Sequence, residues 1–136
     1  MTEFLDVPGG RIAYDVDGSG PLVVLSHGIG VSRQDYRLLA PMLAQAGYRV
    51  ASADLRGHGE SSMGWASITR TDVAGDLLAL IGPLGGPAVI VGHSISGGAA
   101  TIAAATRPDL VAGIVEINPF TRKVQYSVGG LLRVRR

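Results

Sequence analysis

Residues 89–98 read Val-Ile-Val-Gly-His-Ser-Ile-Ser-Gly-Gly, and an Ala-rich stretch follows as far as Thr106. Contiguous β-branched residues favour a strand. Alanines favour a helix. Only a few residues separate the two, so the connection must be a tight turn. Gly92 and Ser96 stand two residues either side of Ser94. Small residues there let the strand end and the helix start come close. A buried strand running straight into a helix implies a sheet with helices packed on its faces, not a helical bundle or a β-sandwich. Ser94 stands at the apex of the turn.

The rest of the chain repeats that alternation. Glu3–Val7 and Arg11–Val16 read as two strands joined by a hairpin through Pro8-Gly9-Gly10. Leu22–Leu25, Tyr48–Ala53, Pro87–Val91 and Val111–Ile117 read as further strands. The run Leu22–Leu25 is wholly apolar, as suits a strand covered on both faces. Helical spacing covers Arg33–Ala46, with an interruption or restart expected at Pro41, and Thr71–Leu80 and Gly97–Thr106. From the third strand on, strand and helix alternate. The expected fold is α/β, a mostly parallel sheet with helices on both faces, ending after a sixth strand.

Bulk properties exclude several classes of function. The 136 residues suit one domain or part of one. A net charge of +1 gives no electrostatic basis for binding nucleic acid or an anionic membrane. The chain has no cysteine, which removes disulfides, thiolate catalysis and cysteine-held metal. The first residues lack the basic and apolar regions of a signal peptide. The longest uncharged stretch, Leu77–Ser96, is broken by glycines and prolines, so it is not a membrane-spanning helix. A cytoplasmic location is the expectation.

Three segments carry the candidate chemistry. Ser26-His27-Gly28-Ile29-Gly30 follows the third strand, Asp54-Leu55-Arg56-Gly57-His58-Gly59-Glu60-Ser61 the fourth, and the Ser94 turn the fifth. All three fall at the carboxyl ends of parallel strands, where open α/β sheets place their sites. Ser94 by itself reads first as an exposed N-cap serine. In order and spacing, however, the three together resemble the α/β-hydrolase family over about Glu3–Phe120. That resemblance implies Ser94 as nucleophile of a turn known as a nucleophile elbow, with Gly92 and Ser96 as its small residues. Ser96 departs from the glycine that the family usually has there. The resemblance further implies an oxyanion hole from the backbone amides of Ile29 and Ile95, with Gly30 as runner-up donor. His27, His58 and His93 stand where the family has no catalytic base. Their spacing fits no metal motif. Asp54 and Glu60 are expected to pair or cap within their loop.

In the family the acid and the histidine follow the nucleophile, after the seventh and eighth strands. No histidine follows His93 in these 136 residues. Asn118 occupies a position where some relatives carry the acid, and Glu116 is a weak substitute. Residues 1–120 are therefore expected to be the front portion of a hydrolase core, and residues 121–136 the start of a lid or a tail. The implied activity is hydrolysis of an ester-like carbonyl through an acyl-enzyme, on a small molecule, without a cofactor. The isolated chain is expected to be inactive and to self-associate along its sixth strand. Dehalogenase and epoxide-hydrolase relatives put Asp at the nucleophile position, so Ser94 argues against their chemistry. Two other readings stay open. One is a non-catalytic binding module of the same fold. The other is a dinucleotide-binding domain, although Arg33 occupies the place of its third glycine.

Overall fold

The structure is a computed structural model and describes residues 1–119. The expectation for residues 121–136 lies outside the described residues. β1 (Glu3–Val7) and β2 (Gly10–Asp17) form the hairpin, with Val7 paired to Gly10. Then follow β3 (Leu22–Ser26), a 3-10 turn (Arg33–Tyr36), α1 (Leu39–Gln45) and β4 (Arg49–Ala53). α2 (Arg70–Ile81), β5 (Ala88–His93), α3 (Ile95–Thr106) and β6 (Val111–Ile117) complete the order. The sheet order is β1-β2-β4-β3-β5-β6. β2 meets β4 antiparallel, whereas β4, β3, β5 and β6 are mutually parallel.

Side-chain alternation on β3 divides the core into two layers. Leu22 and Val24 face α2 and α3, packing with Val73, Leu77, Leu80, Ala99 and Ala103. Val23 and Leu25 face the other side, with Tyr36, Val50 and Val91, and α1 lies over them. Every residue of β3 is buried, which accounts for its unbroken apolar run. The α/β fold with helices on both faces is thus observed.

Three local differences from the sequence reading have physical causes. The helical interruption falls at Arg37–Leu38, not at Pro41. Pro41 sits in the first turn of α1, where its missing N–H has no intrahelical acceptor to lose. α2 begins at Arg70 because Thr69 and Asp72 form a reciprocal capping box. β5 continues through Gly92 and His93, because its ladder with β6 pairs His93 with Ile117.

Candidate active site

The strand order creates the site before any side chain is considered. From β3 the chain passes through α1 to β4 on one side. β5 then lies on the other side of β3, and the chain continues away through α3 to β6. The connections leaving β3 and β5 therefore diverge to opposite faces. The carboxyl ends of two strands whose connections diverge in this way are the usual ligand position in open α/β sheets. The loop after β3 and the turn after β5 flank that position.

Ser94 holds that turn in an unusual conformation, φ 57° and ψ −117°. A non-glycine residue held there stores about 1–3 kcal/mol that the surrounding structure must offset. Its amide donates to the Ile117 carbonyl, and its carbonyl accepts from Gly97, so both peptide groups of the turn are fixed. Its side chain makes no capping hydrogen bond, unlike an ordinary N-cap serine. Gly92 is required by close approach: a Cβ there would lie 2.3 Å from the Ser96 carbonyl oxygen. Ile95 is the first residue of α3, and its amide is one of the four that a helix leaves without an internal acceptor.

Ser96 is fully buried, and its hydroxyl has a defined role. It donates to the His27 carbonyl at 2.6 Å and lies 2.7 Å from the Ser26 hydroxyl. Because its one hydrogen goes to His27, Ser26 is the donor in that second bond. The serine that replaces the usual glycine therefore joins the start of α3 to the end of β3. On the opposite side, Gly28 runs against the turn. A Cβ at Gly28 would lie 3.0 Å from His93 Nδ1 and 3.2 Å from Ser94 Cβ.

Two of the histidines, His27 and His58, have both ring nitrogens engaged. His27 is completely buried. Its Nε2 accepts from the Leu55 amide at 3.0 Å, so its Nδ1–H must donate to the Gly28 carbonyl at 2.7 Å. Burial holds its pKa below the ordinary value, against the Gly28 bond and the nearby Asp54 carboxylate. His58 accepts the Gly30 amide on Nε2 at 3.1 Å, and its Nδ1–H donates to the Arg56 carbonyl at 3.0 Å. The runner-up oxyanion donor, Gly30, is thereby engaged elsewhere.

Asp54 and Glu60 do act within their loop, but their shared partner is Arg33, which sequence reasoning treated only as a missing glycine. Arg33 is buried and forms ion pairs with Asp54, Glu60 at 2.8 Å and Asp15 at 2.8 Å. Its guanidinium holds the Glu60 carboxyl below the usual range. Asp54 also accepts the Arg33 and Glu60 amides, at 2.8 and 2.9 Å. The loops after β3 and β4 are thus bound into one unit. Glu116 accepts from Thr101 on α3, two turns beyond Ser94, and Asn118 is exposed at φ 44°.

Comparison with known proteins places this geometry. The family model described as alpha/beta hydrolase fold matches residues 21–132. A 2-(acetamidomethylene)succinate hydrolase of Mesorhizobium japonicum is 35% identical over 129 residues, covering 93% of this chain and 46% of the relative. Epoxide hydrolase B of Mycobacterium tuberculosis is 39% identical over 108 residues, covering 76% and 30%. The solved structure of an epoxide hydrolase, CorEH, without ligand superposes with a TM-score of 0.86 at 26% identity, covering 99% of this chain and 49% of that one. The chain thus spans less than half the length of each of these proteins. Relatives, superposition and site geometry agree with the resemblance read from the three segments: the chain belongs to the α/β-hydrolase fold family.

Proposed function

We propose that the protein is a serine hydrolase that cleaves an ester-like carbonyl through an acyl-enzyme on Ser94. The observation that carries this reading is the Ser94 turn: a positive-φ serine, uncapped, with the Gly28 backbone packed against its Cβ. In the proposed reaction the Ser94 hydroxyl attacks the carbonyl carbon while a base takes its proton. The oxygen of the tetrahedral intermediate is stabilised by the Ile95 and Ile29 amides. Collapse expels the leaving alcohol, and water then releases the acid. The base is not His27 or His58, whose ring nitrogens are both engaged, nor His93, which precedes Ser94 on the strand. It belongs to the whole protein, in the family order nucleophile, acid, histidine.

A second reading is epoxide hydrolysis, favoured by the names of several relatives. Chemistry opposes it at Ser94. A carboxylate that opens an epoxide leaves an enzyme ester, which water can cleave at its carbonyl. A serine oxygen that opens an epoxide leaves an ether, which has no carbonyl to attack, so the enzyme would stop after one event. The two readings are separated by assaying the full-length gene product with p-nitrophenyl acetate and with styrene oxide. The serine reading expects multiple turnovers on the ester that Ser94→Ala abolishes, and none on the epoxide. Sustained diol formation, unaffected by Ser94→Ala, would reject it.

A further inference from the structure

We propose that His58 is a positioning residue for the oxyanion hole: it holds the Ile29–Gly30 peptide plane so that the neighbouring Ile29 amide faces the reacting oxygen. The inference rests on the serine-hydrolase reading. His58 and Gly30 lie in different loops, after β4 and β3, and are joined directly by the hydrogen bond from the Gly30 amide to Nε2 at 3.1 Å. The opposite edge of the ring is tied to its own loop, through Nδ1–H to the Arg56 carbonyl at 3.0 Å. The imidazole is therefore a strut with both ends fixed. Its flank is set by His27, whose ring meets it edge-to-face at 5.4 Å and is itself immobilised by burial and two hydrogen bonds.

Packing does not hold the tip of the loop. Ile29 is 61% exposed, and a Cβ at Gly30 would meet nothing within 4 Å. Hydrogen bonding to His58 takes that role. The Gly30 N–H belongs to the same peptide plane as the Ile29 carbonyl. Fixing that plane leaves the Gly28–Ile29 plane, which carries the Ile29 amide, only the torsions at one Cα in which to turn. On its far side Gly28 is confined by His93 and Ser94. The Ile29 amide is thus bracketed between a steric stop and a hydrogen-bonded one. Oxyanion donors act by being aligned before the charge develops, so alignment sets the rate of the chemical step more than substrate affinity.

The test uses His58→Phe, His58→Asn and His58→Gln in the full-length gene product. Phe keeps the ring volume without an acceptor. Asn keeps polarity but cannot reach the Nε2 position. Gln can place an oxygen close to it. With p-nitrophenyl acetate, Phe and Asn should lower kcat on the order of 10- to 100-fold, the scale of an ångström-level misplacement. KM should stay within about twofold, and Gln should recover most of the loss. Unchanged kcat in Phe and Asn, a change in KM alone, or a Gln variant as impaired as Phe would overturn the assignment. Fluorophosphonate labelling of the wild type at Ser94 serves as the control: its absence refutes the serine reading itself, whereas labelling with unaffected variants refutes only the role of His58.

Discussion

At the scale of single residues, the site is held by buried polar groups whose partners are all internal. His27 makes this testable by pH. Its Nε2 accepts from the Leu55 amide only while the ring is neutral, and burial keeps its folded pKa below the unfolded value of about 6.5. The unfolded chain therefore binds the proton first as pH falls. The stability contributed by His27 is fully present above about pH 6.5 and is lost as pH drops through that value toward the folded pKa. Urea midpoints should fall between pH 7.5 and 5.5, with a shallower slope in His27→Gln. A slope equal to that of the wild type would contradict it. Carboxylates held low, such as Glu60 and Asp72, lose their contribution only at more acidic pH. Arg33→Met leaves Asp54, 1% exposed, without its counter-charge and should cost about 3–5 kcal/mol in urea unfolding. A loss below about 1 kcal/mol would show that the ion pair is not what binds the two loops. These partners were only partly legible in the sequence. The tight turn at Ser94 could be inferred from a local pattern. The role of Arg33 could not, because its partners lie in two segments remote from it in sequence, Asp15 on β2 and Asp54 and Glu60 in the loop after β4. Ser96 could be judged small enough for the turn, but its bond to the His27 carbonyl spans 69 positions.

At the scale of elements, periodicity was a good guide where one structure type ran uninterrupted, and poor at the ends. All six strands and the helices after β4 and β5 were readable, because apolar runs and Ala-rich spacing reflect burial directly. Boundaries moved where a side chain or a ladder partner set them. Thr69 and Asp72 fix the start of α2 by a capping box, and their spacing was the available signal. Thr69→Ala should lower stability by about 1 kcal/mol in urea titration. An unchanged midpoint would mean that tertiary packing alone sets that end. The break before α1 reflects a short 3-10 turn that places Arg33 and Tyr36 inward. The Tyr36 hydroxyl donates to the Ser26 carbonyl at 2.9 Å, and burial pushes its pKa up to about 12. Helical spacing covered this turn, but its tightening to 3-10 and the break after it go with the tertiary contacts of Arg33 and Tyr36, which periodicity does not carry.

At the scale of the whole molecule, β6 is an edge of the sheet formed by the described residues. The sequence reading expected self-association along this strand, which carries the apolar residues Val111, Ile114, Val115 and Ile117. Val111 is buried at 8%, but the other three are 37%, 50% and 41% exposed. An apolar edge with unpaired amides templates association. Light scattering on the isolated 136-residue chain should show species larger than a monomer, and Val115→Lys should reduce them. A monodisperse monomer would contradict it. That the strands from β3 on are parallel followed from alternation of strands and helices. The placement of β3 between β4 and β5 was not read from the sequence, because a crossover leaves no mark in composition or periodicity.

As an activated nucleophile, Ser94 differs from an ordinary half-buried serine on a strained turn by its reactivity. Treating the full-length gene product with a fluorophosphonate and mapping the adduct by peptide mass spectrometry tests this directly. One phosphonyl group should be found on the peptide bearing Ser94, with labelling lost in Ser94→Ala. An adduct elsewhere, or equal labelling of Ser94→Ala, would contradict it.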